Sequence, residues 1–263
     1  MPLTSAYQRR IRRAEQLASQ HSFAREILGF YIHVARFQQI LQIRLDRMPV
    51  DKAPPATLPK SGELISNFQG FLSIVEKNGP ERVANAAREL LASSSERLHD
   101  LLSAIWQDAN QPPDTAEEFL AYAFLQPYAE FARSHAGLQL ENYIHPLCPF
   151  CNRRPALGVL RPMGDGAQRR LICGFCLAEW DFRRIVCPGC GEEDYGKLPI
   201  YTAEAFPHIR VECCDRCQIY IKSIDLTKNG LAEPLVDELS SLPLDLWAQE
   251  HGYSKLYPNL LGM

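Results

Sequence analysis

From Ser22 to Met48 the residues Phe23, Ile27, Phe30, Tyr31, Val34, Phe37, Ile40, Leu41 and Leu45 recur at three- and four-residue steps, the period of one buried stripe on a long α-helix. Pro49, Pro54, Pro55 and Pro59 follow; each removes a backbone donor and fixes φ, so residues 49–60 read as a loop. A second helix is predicted over Glu63–Lys77, with Leu64, Ile65, Phe68, Leu72 and Val75 inside and Asn78-Gly79-Pro80 as its stop. A third spans Glu81–Asp108, with Ser93-Ser94-Ser95 as a candidate break. Beyond Pro112-Pro113-Asp114 a capping box, Thr115-x-x-Glu118, opens a helix carrying Phe119, Tyr122, Leu125 and Phe131, which Pro127 kinks rather than ends. Ahead of all these, Arg9, Arg10, Arg12 and Arg13 read as the solvated face of a helix: no apolar run and cleavage site follow them as in a secretory signal, and Glu15 argues against a mitochondrial presequence.

The period changes in the second half. Leu157-Gly-Val-Leu160 and Arg169-Arg-Leu-Ile172 flank Gly164-Asp165-Gly166, a hairpin turn. Trp180, Phe182, Ile185 and Val186 suggest a further strand, and Glu212–Leu226 another ribbon. From Pro234 onward Leu235, Leu239, Leu242, Leu246 and Trp247 indicate a short terminal helix interrupted near Pro243.

The composition is that of a globular chain: 263 residues, 46% hydrophobic, 22% charged, net charge −3. No apolar run reaches the roughly 18–20 residues of a membrane span, and no overall positive field draws in polyanions. The nucleophile elbow, the phosphate-binding loop and the dinucleotide fingerprint are all missing, and His21, His33, His99 and His135 stand singly. Nothing in the helical half assembles a catalytic constellation, and a non-enzyme is expected.

Cysteine is the uneven feature. All nine lie between Cys148 and Cys217. Eight form four C-x-x-C knuckles, Cys148/Cys151, Cys173/Cys176, Cys187/Cys190 and Cys214/Cys217, separated by 21, 10 and 23 residues, which groups them as two successive four-cysteine sites. Two residues between thiols let one turn aim both sulfurs at a point, and two such turns complete a tetrahedron. Each unit is only about thirty residues, too short to fold well without a staple, and thiolate binding to zinc is worth on the order of 10 to 16 kcal/mol in such modules. Disulfides suit a secreted chain, and a redox C-x-x-C needs a strand-to-helix turn; metal sites fit better than either. Zn(II) and a single iron fit the geometry equally, and Cys187-Pro-Gly-Cys190-Gly191 resembles a rubredoxin knuckle, which favours iron. Four cysteines per site leave no open position for substrate, so the sites are structural, redox or docking devices. His145 and His208 are surplus to them. Cys213 could replace Cys214, be a free thiol, or be simply buried.

Charge separates the two ribbons. Between Asn152 and Val186, Arg153, Arg154, Arg161, Arg169, Arg170, Arg183 and Arg184 outnumber Asp165, Glu179 and Asp181; between Gly191 and Cys217 acids prevail. The arginines read first as a solvated face, then as a protein-docking surface. A zinc-ribbon module binding nucleic acid is a rival reading, weakened by the acidic second ribbon, and a rubredoxin-like electron carrier is another.

The runs CPFCNRRPALG, LICGFCLAEWDFRRIVCPGCG, VECCDRCQIYIK and LVDELSSLPLDLWAQEHGYSK resemble the formate dehydrogenase accessory protein family, FdhE, closely from about residue 145 onward. The resemblance implies an α+β chain: a helical domain (1–140), two tandem rubredoxin-like or zinc-ribbon modules (141–186 and 187–230) and a C-terminal helical segment (231–263). It implies a cytoplasmic accessory factor that docks the molybdenum-containing catalytic subunit of a respiratory formate dehydrogenase before export. Two metal ions, iron favoured over zinc, would be held by Cys148, Cys151, Cys173 and Cys176 and by Cys187, Cys190, Cys214 and Cys217. Neither membrane insertion nor nucleic acid is expected, and a homo-oligomer is compatible with the sequence. Asn152 and Gln218 stand where such a knuckle usually carries glycine.

Overall fold

The computed structural model describes residues 3–47, 58, 61–108, 112–137 and 143–259. Pro49, Pro54, Pro55, Pro59 and the expected boundary at residue 140 lie outside them. Among the described residues six α-helices come first: α1 (Leu3–Gln20), α2 (Arg25–Leu45), α3 (Gly62–Asn78), α4 (Glu81–Leu91), α5 (Ser95–Gln107) and α6 (Ala116–Ser134). The serine run does divide the expected third helix: α4 ends before it, and the Ser94 hydroxyl caps α5 by accepting the Arg97 N–H at 3.2 Å. Ser61 caps α3 in the same way. At α6 both bonds of the predicted box form, Glu118 N–H to Thr115 Oγ1 (3.2 Å) and Thr115 N–H to Glu118 Oε2 (3.1 Å). This helix is buried from Phe119 through almost every residue to Ala132 and packs on α2, α3, α4 and α5, so it is the axis of the bundle.

Two expectations for the helical half need correction. The buried face of α2 takes in Gln38, which finds polar partners on α6 in the Ala123 carbonyl and Gln126, and Gln42, which bonds Asp46, while Ile40 and, just ahead of α2, Phe23 lie about half exposed. Of the four α1 arginines expected on a solvated face, only Arg12 is exposed. Arg10 and Arg13 are buried, paired with Glu130 on α6 (3.4 Å) and with Asp237 near the far end of the chain (2.5 Å), and Arg9 meets Glu233 at 2.7 Å.

The second half forms one seven-stranded sheet: β1 (Pro155–Met163), β2 (Gly166–Cys173), β3 (Glu179–Asp181), β4 (Ile200–Ala203), β5 (Phe206–Cys214), β6 (Ile219–Asp225) and β7 (Ser254–Lys255). The order is β3-β2-β1-β6-β5-β4, with β7 beside β6. Gly164, at φ +55°, turns the β1–β2 hairpin, and Met163 pairs with Gly166 across it. Each antiparallel ribbon carries one group of cysteines, and the ribbons meet through a parallel pairing of β1 with β6, Gly158 opposite Ser223. That meeting requires glycine: a Cβ at residue 158 would stand 2.2 Å from Ser223 Oγ.

Two short helices, α7 (Pro234–Ser240) and α8 (Leu242–Glu250), lie between β6 and β7, divided just before Pro243. Against the sheet they bury charge. Lys222 of β6, with no exposure, donates to Asp245 Oδ2 (2.5 Å), the Glu238 carbonyl (2.7 Å) and Ser241 Oγ (3.0 Å), and Lys255 reaches Glu238 at 2.5 Å. Two lysines and two carboxylates balance, which is what makes their burial tolerable.

Candidate metal centres

Cys148 and Cys151 sit in the turn ahead of β1, Cys173 ends β2, and Cys176 lies in the turn before β3. Their sulfurs converge, with Cys148···Cys176 and Cys151···Cys173 at 3.4 Å and Cys151···Cys176 at 3.7 Å. In the second ribbon Cys187···Cys217 and Cys190···Cys214 are each 3.7 Å apart. Within each group all four sulfurs lie within 4.8 Å of one another. Thiolates about 2.3 Å from a tetrahedral ion stand roughly 3.8 Å apart, whereas a disulfide needs about 2.05 Å. The spacings therefore fit two metal cages, and all nine cysteines are free thiols.

The four knuckles share one backbone form. The residue after each second cysteine has positive φ: Asn152 (59°), Leu177 (55°), Gly191 (77°) and Gln218 (55°). The chain thereby curls back, and the N–H groups of Asn152, Gly191 and Gln218 bond the carbonyls of Cys148, Cys187 and Cys214 at 2.8–3.0 Å. Leu177 is the least expected, since a large side chain disfavours this region; its sequence signal was only its place in the repeated motif. Phe175 N–H lies 3.4 Å from Cys173 Sγ and Gly189 N–H 3.3 Å from Cys187 Sγ, the bonds that steady a thiolate.

The two cages differ in setting. In the first, Cys148, Cys173 and Cys176 are buried and Cys151 half-buried; in the second Cys190 is exposed and Cys217 half-buried. Burial pushes the Cys173 and Cys176 thiols well above their ordinary value, while hydrogen bonds from Cys148, Cys173 and Cys176 pull Cys151 down. Four such groups ionise together only around a cation. The helical half packs directly on this cage. Phe175 lies between Tyr122 (4.9 Å) and Trp106 (5.9 Å) with the Arg153 guanidinium 4.0 Å over its ring. From α6, Gln126 Nε2 donates to the Gly174 carbonyl (2.8 Å) and Arg133 Nε to the Cys176 carbonyl (2.9 Å). Trp180 Nε1 bonds the His145 carbonyl at 2.8 Å. Neither Gln126 nor Arg133 carried a sequence signal, since their partners are more than forty residues away.

Cys214, not Cys213, faces the second cage. Alternation along β5 turns Cys213 into the apolar interior, where burial raises its thiol to about 12. His145 and His208 belong to neither cage; His208 Nε2 is 2.8 Å from Asp237 Oδ1. Five of the seven arginines of the first ribbon are engaged, while Arg154 and Arg184 are exposed. Arg153 donates to the Asp108 carbonyl (2.6 Å), Arg161 and Arg170 hold Glu179, Arg169 is buried on Glu212 (2.5 Å), and Arg183 pairs with Glu193.

Residues 147–184 match the FdhE central domain and residues 185–261 the FdhE C-terminal domain, so a family pattern covers every cysteine of both cages. The chain belongs to the FdhE family. Among its relatives, the protein FdhE homolog of Aquifex aeolicus is 27% identical over 252 residues, covering 90% of this chain and 88% of that protein. The FdhE homolog of Pseudomonas aeruginosa is 35% identical over 130 residues, 48% of this chain and 42% of that one. The crystal structure of the FdhE protein from Pseudomonas aeruginosa superposes with a TM-score of 0.70 at 27% identity, over 98% of this chain and 96% of that one. The two tetracysteine groups could bind two metal ions. No helix among the described residues is long and apolar enough to cross a membrane.

Proposed function

We propose that this FdhE-family chain is a maturation factor without turnover of its own, which docks the molybdenum-containing catalytic subunit of a respiratory formate dehydrogenase in the cytoplasm before that subunit is exported. Cys148, Cys151, Cys173 and Cys176 hold one metal ion and Cys187, Cys190, Cys214 and Cys217 the other, iron in preference to zinc. The observation that carries this reading is the pair of closed four-sulfur cages in a family-matched sheet: four thiols meet at each, and a filled tetrahedron has no position for substrate or activated water. The engaged arginines argue against a phosphate-binding ribbon. An affinity-tagged chain drawn from cell extract is expected to retain a formate dehydrogenase catalytic subunit. Retention of nucleic acid instead, with affinity falling steeply as salt rises, overturns the proposal.

The exposure of Cys190 favours one alternative, an electron carrier, because a metal near the surface exchanges electrons readily. Reversible bleaching of an iron–thiolate absorption during turnover with a reductase supports that reading; a colourless zinc protein removes it.

A further inference from the structure

The peptide unit between Gly174 and Phe175 is held at both ends. Its carbonyl accepts from Gln126 Nε2 at 2.8 Å, and its N–H lies 3.4 Å from Cys173 Sγ. Because a peptide is planar and trans, its C=O and N–H point in opposite directions, and anchoring one aims the other. Gln126 is itself fixed: 1% exposed, with its Oε1 accepting from Gln38 Nε2 at 3.2 Å. A line of donors thus runs from α2 through α6 and one peptide to a sulfur of the buried cage, each bond polarising the next. The second cage repeats only the last step. Gly189 N–H approaches Cys187 Sγ at 3.3 Å, but among the described residues no side chain donates to the Pro188 carbonyl on the other side of that peptide.

We infer that Gln126 is a positioning residue for the first metal site, acting through the Gly174–Phe175 peptide on the Cys173 sulfur, and that it makes the two sites unequal in metal retention. The inference rests on the reading of the cysteines as metal ligands. Outer hydrogen bonds of this kind hold ligands in place and damp the electron donation of sulfur, and their loss typically costs about 10- to 100-fold in metal affinity. The helical half therefore does more than cover the cage: through Gln126 it sets how firmly the buried ion is kept.

Cobalt(II), whose bands with thiolates are visible, is the probe. It is loaded into the full chain carrying Cys190→Ser and Cys217→Ser, so that only the first site reports. Adding Gln126→Leu is expected to speed cobalt transfer to a chelator by about 10- to 100-fold and to move the sulfur-to-cobalt absorption to longer wavelength, because a weaker N–H···S bond leaves the sulfur lone pairs higher in energy. Uptake with unchanged release and unchanged absorption overturns the inference alone. A chain that takes up no cobalt before Gln126 is altered overturns the metal-site reading as well. Hydrogen exchange on the unaltered chain is a second measurement that does not depend on the variant folding. The Phe175 amide is expected to exchange at least about tenfold more slowly than the Gly189 amide, and equal exchange overturns the inference.

Discussion

Gln38 Nε2 donates to the Ala123 carbonyl at 2.7 Å, and that carbonyl is the one left without its helical partner by the proline four residues later. Pro127 lies in the middle of the bundle's central helix, where a missing N–H and an orphaned buried carbonyl cost about 1–3 kcal/mol unless another donor arrives. A side chain of α2 supplies it. Gln38→Leu is therefore expected to lower the unfolding free energy by about 1–3 kcal/mol. The same change in a Pro127→Ala background, where the backbone N–H is restored, is expected to cost clearly less. Denaturant unfolding of the four proteins of this cycle measures the difference; equal costs in both backgrounds would show that the carbonyl is not what Gln38 serves.

Metal content follows from the two cages. One ion per group predicts two per chain, falling to one in Cys148→Ser or Cys187→Ser and to none when both are changed. Elemental analysis after desalting under reducing conditions measures it. Chelation is expected to empty the site with the exposed Cys190 first, and the loss of the buried ion to coincide with loss of sheet signal in circular dichroism.

The seam between the ribbons gives a rescue experiment. Gly158→Ala puts a methyl on Ser223 Oγ, a buried hydroxyl with no hydrogen-bond partner among the described residues, and is expected to destabilise by about 1–3 kcal/mol. Ser223→Ala alone is expected to be close to neutral, because it removes a polar atom that gains nothing by burial, and to recover most of the Gly158→Ala loss. Thermal unfolding of the single and double variants tests the contact.

Acid sensitivity is expected from Glu238. Burial alone would raise its carboxyl, but Lys222 and Lys255 bring it down to about 2. A depressed folded value means that its contribution is fully present above the unfolded value near 4.5 and is lost as the pH falls through about 2. Glu238→Gln leaves two buried ammonium groups short of an anion and should cost about 3–5 kcal/mol near neutrality. That gap to the parent is expected to narrow between pH 4.5 and 2. Thiolate cages also release metal in acid, so the difference between the two proteins, not the parent's own acid unfolding, is the quantity to follow. A gap that stays constant over the range removes Glu238 from the account.

The knuckles predict opposite responses at equivalent positions. Gln218→Gly relieves a left-handed backbone and is expected to add up to about 1 kcal/mol, less the bond that Gln218 Nε2 makes to the Asp215 carbonyl. Gly191→Val, at φ 77°, is expected to cost about 1–2 kcal/mol or more. Chemical unfolding of the metal-loaded chain reads both.

The features legible from the chain alone are those settled within a few residues of one another. The Thr115–Glu118 box, the serine break after α4, the Gly164 turn and the aim of each cysteine pair depend on neighbours at most a turn away, and local sterics leave little choice there. The grouping of knuckles followed from spacing for the same reason, since a hairpin of about twenty residues returns one pair to the other. Tertiary structure alone decided the fate of the charged and amide side chains. Arg13 and Asp237 are 224 residues apart, Lys222 needs α7 and α8 folded over it, and Gln126 is an ordinary polar residue until Gly174 arrives beside it. A hydrophobic stripe announces burial by its period, but a buried polar group declares itself only through its partner, and the partner is chosen by the packing of the whole chain.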